Sequence, residues 1–115
     1  MSKGEFMSDL LSALTANSIL LANASSNVAN FNTRDYKSIV TTITSGSAGG
    51  LNVTTSRTTT PGVPIDDSHV SSNVELPQEF CDMIRAQRGF EAALSAISTR
   101  EDMLDDLMDV LSNTE

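Results

Sequence analysis

Apolar residues recur at every seventh position over the last third of the chain, and this repeat constrains the fold more than any other feature. Side chains seven residues apart lie on one stripe of an α-helix. The repeat runs without a gap through Leu76, Met83, Phe90, Ile97, Leu104 and Leu111. We therefore predict one long helix over residues 74–112, with Asn73 as its N-cap and a partner helix along the stripe.

A shorter repeat of the same period lies near the N-terminus and predicts the partner helix. Its members are Met7, Leu14, Leu21 and Val28, and they predict a helix over residues 8–30. Ile19 and Leu20 lie off this stripe. The matched periods predict a coiled-coil-like seam in which Leu14, Leu21 and Val28 pack against Phe90, Ile97 and Leu104.

A strip of small residues runs beside the long repeat, through Ala86, Gly89, Ala93 and Ala96. Glycine inside a helix costs about 1 kcal/mol relative to alanine. The alanines beside Gly89 indicate that this cost allows another backbone to come close.

Residues 38–60 have a different composition, rich in β-branched residues. The segments "SIVTTIT" and "LNVTTSRTTT" suit a pleated sheet, and "SGSAGG" between them supplies turn residues. We predict a β-hairpin that rests on another element, because two strands alone are marginally stable. The predicted fold is mainly α, with two long antiparallel helices joined by a short β-hairpin. Its segments are a disordered or non-native extension (1–7), the first helix and its polar end (8–37), the hairpin and linker (38–72) and the C-terminal helix (73–115).

Composition excludes several classes of function. The formal charge of -8 argues against a nucleic-acid partner. Cys81 is the sole cysteine and His69 the sole histidine, so neither predicts a disulfide, a metal site or a catalytic pair. The C-terminal aspartates read as a solvated acidic face. We expect no enzyme activity, no cofactor, no metal and no small-molecule substrate, and the N-terminus lacks the pattern of a cleavable signal peptide.

The stretch "SSNVANFNTRDYKS", residues 25–38, ends the first helix with three asparagines. Asparagine competes for backbone hydrogen bonds and favours caps and turns. Asn27 and Asn30 are expected to satisfy the terminal carbonyls, while Asn32 and Thr33 redirect the chain. Tyr36 and Lys37 are then expected to lie across the base of the hairpin.

This stretch resembles the N-terminal signature of flagellar axial proteins, the rod and hook family. The matching positions are Asn27, Asn30, Asn32, Thr33, Tyr36 and Lys37. The segments "NVEL", "MIRAQRGFEA" and "ISTREDMLDDL" resemble the C-terminal end of the same family. The chain departs from the family at Asp35, where glycine is usual, at Ala93, and in its short middle segment. Asp35 is expected to adopt a left-handed backbone conformation.

The resemblance implies a structural subunit, or close accessory, of the bacterial flagellar basal-body rod that assembles through both helices. It also implies self-association, contacts with other rod proteins, passage through the flagellar export apparatus without a cleaved signal, a location in the periplasmic rod and a role in motility. The alternative is a soluble regulatory or chaperone-like helical module that binds axial proteins without polymerising. Concentration-dependent assembly favours the first, and a stable 1:1 complex favours the second.

The expected assembly interface combines three groups of residues. The first is the polar motif, the second is a set of long polar side chains beside the small strip, and the third lies at the C-terminal end. At 1.5 Å per residue the long helix measures about 57 Å against about 33 Å for the first, so its end is predicted to overhang. The interface residues are Asn27, Asn30, Asn32, Thr33, Tyr36, Gln87, Arg88, Glu91, Leu104, Leu107 and Leu111.

Overall fold

A computed structural model describes residues 3–113, and at residues 3 and 5 it describes only the backbone. The described chain forms two helices and one two-stranded antiparallel sheet. Helix α1 spans Lys3–Ala29 and helix α2 spans Leu76–Asn113. Strands β1 (Ile39–Ser45) and β2 (Leu51–Arg57) form the hairpin between them. The mainly α fold with a long C-terminal helix is therefore confirmed. In the described range no helix is long and apolar enough to cross a membrane.

The boundaries of the helices differ from the predicted ones by a few residues. Helix α1 begins at Lys3, so residues 3–7 are helical, where a disordered or non-native extension was predicted. Helix α2 begins at Leu76 and carries Pro77 in its first turn, where the proline replaces no intrahelical N–H bond. Asn73 does not cap this helix, because its side chain binds the hairpin region instead.

The two helices run antiparallel. The Arg100 guanidinium lies 5.4 Å from the centre of the Phe6 ring, Asn27 bonds to Glu79, and Gly89 lies against Asn17. Residue numbers therefore fall along α1 as they rise along α2. Since Phe6 is already level with Arg100, α2 continues past the beginning of α1, as the predicted overhang requires.

The most deeply buried apolar residues between the helices are mostly small, and none of them belongs to the predicted heptads. On α1 the buried apolar residues are Ala16, Leu20 and Ala24, and on α2 they are Ala86 and Ala93. The prediction for the seam was wrong at Leu21, which is 40% exposed while Leu20 is 5% exposed, whereas Leu14 and Val28 are half-buried. On α2, Phe90 is 36% exposed and lies at the edge of the contact.

The close approach predicted at Gly89 is present and involves α1 of the same chain. A Cβ atom at Gly89 would lie 2.5 Å from Oδ1 of Asn17. Asn17 is held in this position because its Nδ2 donates to the Ala13 carbonyl at 2.8 Å. Small side chains on both helices therefore bring the backbones close and leave the larger heptad residues beside the contact.

The hairpin lies along α1, as its marginal stability requires. The Leu51 amide donates to Ser12 Oγ at 3.1 Å, and Asn23 Nδ2 donates to Thr41 Oγ1 at 2.8 Å. The strands pair in the register that sets Ile43 opposite Val53. Gly49 and Gly50 close the five-residue turn with φ values of 93° and 73°, which glycine adopts without steric cost.

Candidate functional site

Asn27 is the centre of the junction where α1, the polar motif, β1 and α2 meet. Its side chain is completely buried. Nδ2 donates to the Ile39 carbonyl and to Glu79 Oε2, both at 2.9 Å. Oδ1 accepts from the Ile39 amide at 2.8 Å and from the Tyr36 hydroxyl at 2.9 Å. Asn27 thus pairs with Ile39 as a neighbouring strand would, and it is an internal residue with no surface for a neighbouring subunit.

Tyr36 crosses the base of the hairpin, as predicted. Its carbonyl accepts from the Asn73 amide at 3.2 Å, and the Arg57 guanidinium lies 5.4 Å from its ring centre. The Asn73 side chain accepts from the Ser38 amide at 2.7 Å and donates to Thr58 Oγ1 at 2.5 Å. Asn73, which precedes α2, therefore links the residue before β1 to the residue after β2 at the base of the hairpin.

Asp35 has the only positive φ among the described non-glycine residues, at 59°. This confirms the left-handed conformation expected for Asp35 from the sequence. Its Oδ1 accepts from the Val70 amide at 2.9 Å, and its Oδ2 lies 2.8 Å from His69 Nδ1. The Val70 amide and the His69 ring lower the pKa of this carboxyl. An aspartate here fastens the turn to the linker in a way that glycine could not.

Glu79 carries the buried carboxyl of the junction, and the sequence patterns did not indicate it. It occupies the first turn of α2 and is 6% exposed. Burial raises the pKa of Glu79, although the hydrogen bond from Asn27 lowers it and the nearby Asp82 carboxylate raises it further. Its spacing of seven residues from Ala86 and Ala93 is a signal that could have revealed it, because all three lie on the contact face of α2.

The other predicted interface residues of the polar motif lie nearer the surface. Asn30 is half-buried and donates through Nδ2 to the Ser26 carbonyl at 2.8 Å, which confirms its expected role at the end of the helix. Asn32 and Thr33 are exposed. Thr33 Oγ1 donates to Asn30 Oδ1 at 3.0 Å, so the two residues form a local turn.

On α2 the long polar side chains predicted to act between subunits are all exposed. These are Gln87, Arg88 and Glu91. Gln87 Nε2 donates to Glu91 Oε1 at 3.3 Å, and Arg88 forms no ion pair with another described residue. The structure thus leaves this polar group on the surface, beside the seam.

The two predicted heptad stripes border a groove on one face of the helix pair. This heptad groove measures about 620 Å³, and Leu21 of α1 and Met83 and Phe90 of α2 contribute to its lining. Gln87 and Glu91 stand at its rim. These three heptad residues therefore face outward, where a third helix could contact both helices, whereas Leu14, Val28 and Ile97 are half-buried and outside the groove lining.

The overhang of α2 exposes a second apolar region. Leu107 is 53% exposed, Met108 66% and Leu111 54%, while Leu104 is half-buried. Four aspartates, at positions 102, 105, 106 and 109, lie on the same stretch. No group of three or more His, Cys, Asp or Glu side chains within residues 3–113 could hold a metal ion.

Comparison with known proteins was consistent with these features. Residues 70–110 match the family model described as flagellar basal body rod FlgEFG protein C-terminal. The flagellar hook protein FlgE of Treponema pallidum (strain Nichols) is 37% identical over 68 residues. This alignment covers 59% of the chain but 15% of the hook protein, so the chain spans a small part of its curated relative.

Proposed function

We propose that the chain belongs to the family of flagellar rod and hook proteins and that it is a structural subunit, or close accessory, of the flagellar basal-body rod. It assembles through its two helices, with copies of itself and with other rod proteins. Its route is the flagellar export apparatus without a cleaved signal, its location is the periplasmic rod, and its activity supports motility.

The observation that carries this proposal is the unfilled apolar surface of the helix pair. A monomeric protein rarely leaves a long apolar region exposed, and such regions usually mark contact sites. Here the heptad groove and the overhang of α2 are both exposed, although each consists of residues suited to a helical seam. Leu104, Leu107 and Leu111 therefore form the proposed docking stripe for a neighbouring subunit.

Gln87, Arg88 and Glu91 give the contact its polar component. They border the heptad groove or lie next to its rim, and Arg88 forms no ion pair with another described residue. A pair of oppositely charged residues on an exposed helix contributes only about 0.2–0.5 kcal/mol. These side chains are thus more useful between subunits than for the stability of one helix.

The polar motif serves this assembly in two ways. Asn27 and Tyr36 act inside the subunit, where they fix the angle between α1, the hairpin and α2. Asn30, Asn32 and Thr33 shape the turn that follows, and the exposed Asn32 and Thr33 are the members available to a neighbour.

The test is deletion of residues 104–115 in cells that depend on this chain for motility. Purified truncated protein should keep the circular dichroism expected of α1, the hairpin and the rest of α2, because the contacts that join α2 to α1 at Glu79, Gly89 and Arg100 all precede residue 104. The truncated chain should be absent from isolated basal bodies, and the cells should lose motility. Arg88→Ala should weaken incorporation with the monomer still folded, and Cys81→Ser, also on the α2 surface, is the matched control.

Two results would count against the proposal. One is normal incorporation of the truncated chain. The other is a soluble 1:1 complex with a rod protein that never enters the basal body, which would favour the chaperone-like alternative.

A further inference from the structure

A second groove runs along the other side of α2 and differs from the heptad groove. It measures about 860 Å³ and reaches from the start of α1, at Phe6, along the middle of α2 into the overhang. Its α2 lining includes exposed large residues at one end, with Met103 at 65% and Leu107 at 53% exposure. Residues at the other end are small. The α2 residues that line it include Ala92, Ala96, Thr99, Arg100, Met103 and Leu107.

This α2 groove is self-complementary about its midpoint. If a second copy of α2 is laid along it in the antiparallel direction, with the two-fold axis between Thr99 and Arg100, equivalent positions exchange in pairs. Met103 of one copy then lies opposite Ala96 of the other, and Leu107 lies opposite Ala92. Each large side chain meets a small one, which is the arrangement that fills space between two helices.

The charges of α2 favour the same antiparallel direction. Its five carboxylates between positions 101 and 109 have no basic residue among them, and the basic Arg85, Arg88 and Arg100 precede them. In the antiparallel pair the acidic stretch lies opposite residues 90–98, which contain one carboxylate, Glu91. Asp109 falls two residues, or about 3 Å along the axis, from Arg88 of the other copy. A parallel pair would set the acidic stretches against each other.

We propose that two copies of the free chain pair through the α2 groove as an antiparallel, two-fold dimer. The interface is isologous, because the same surface is used by both copies, and such a contact closes on itself. A filament needs a contact that repeats in one direction. The dimer therefore covers Leu107 in both copies. The overhang cannot contact a growing polymer until the dimer dissociates. The pairing itself concerns the free chain, whereas its effect on polymer growth rests on the proposed function.

The test measures dimerisation of the full chain by sedimentation equilibrium. It compares the parent with variants in which the large and small side chains at positions 107 and 92 are exchanged. The parent chain should show a concentration-dependent equilibrium between monomer and dimer. Leu107→Ala should raise the dimer dissociation constant about tenfold by removing an anchor, and Ala92→Leu should do so by overfilling the opposite site. The double variant exchanges large and small residues and should recover most of the lost affinity. Ile84→Ala is the control, because Ile84 is also 53% exposed but lies outside the groove.

Cross-linking supplies a measurement that does not depend on affinity. In a Cys81→Ser background, Thr99→Cys should form an intermolecular disulfide near the two-fold axis, whereas Ser98→Cys on the neighbouring face should not. The proposal is overturned if the chain stays monomeric over the tested concentrations. It is also overturned if the double variant is weaker than either single one, or if both cysteines cross-link equally.

Discussion

Replacing Asn27 with alanine should destabilise the chain more than any other single change in the polar motif. The substitution removes four hydrogen bonds from a completely buried position. The Ile39 amide and carbonyl, the Tyr36 hydroxyl and the Glu79 carboxyl all lose a partner. Each buried polar group left unpaired costs about 1–3 kcal/mol, and members of one network do not add fully. We expect a loss of about 3–5 kcal/mol in the free energy of unfolding, since water can reach part of the junction.

The matched control is Asn30→Ala, three residues further along the same helix end. Asn30 is half-buried, and its side chain donates to one carbonyl, that of Ser26. Its loss should cost about 0.5–1.5 kcal/mol. Urea denaturation followed by circular dichroism measures both values. If Asn27→Ala costs no more than Asn30→Ala, the junction is not the polar centre of the fold and the argument from burial is wrong.

Three further substitutions test individual contacts. Burial raises the pKa of Glu79, so its protonated carboxyl stabilises the fold at acidic pH, and this contribution is lost as the pH rises through the folded pKa. Glu79→Gln should therefore flatten the pH dependence of the free energy of unfolding above the ordinary carboxyl pKa. The variant should be at least as stable as the parent at neutral pH. The lowered pKa of Asp35 acts in the opposite sense, so its stabilisation is present above the ordinary carboxyl pKa and lost as the pH falls through the folded value; Asp35→Asn should remove that acid-side loss in urea titrations at several pH values. Gly89→Ala should leave the free energy of unfolding of the parent nearly unchanged, because the new Cβ displaces the Asn17 amide. In an Asn17→Ala background the same change should stabilise the chain by up to about 1 kcal/mol. Equal effects in both backgrounds would show that the contact is absent.

The element types could be predicted because their local signals agree. β-branched strands, a glycine-containing turn and helical repeats each indicate one structure. The packing of the helices could not be predicted from the heptads. A heptad stripe shows that a helix has an apolar side, but it does not identify what covers that side. Here the contact with α1 falls on Ala86 and Ala93, and the heptad residues Met83 and Phe90 line the adjacent groove.

The polar junction was predicted in part for a similar reason. Asparagine at a helix end indicates caps and turns, and Asn30 follows that rule. Asn27 departs from it, because its partners are Ile39 and Glu79, twelve and fifty-two residues away. Local sequence carries no information about which distant backbone group arrives beside a side chain. An assembly role for Asn27 was inferred from its motif, whereas burial shows that its contacts are internal.

The small residues of the seam and the partly exposed heptad residues beside it have one physical cause. The buried alanines Ala16, Ala24, Ala86 and Ala93 let the helix axes come close, but their burial removes little apolar surface from water. The larger apolar residues that would stabilise a two-helix chain more strongly, such as Phe90 and Leu107, stay partly exposed. A chain selected for stability as a monomer would bury them. Their exposure on two faces is consistent with a subunit whose apolar contacts are completed only by other chains, which is the arrangement that a polymer of helices requires.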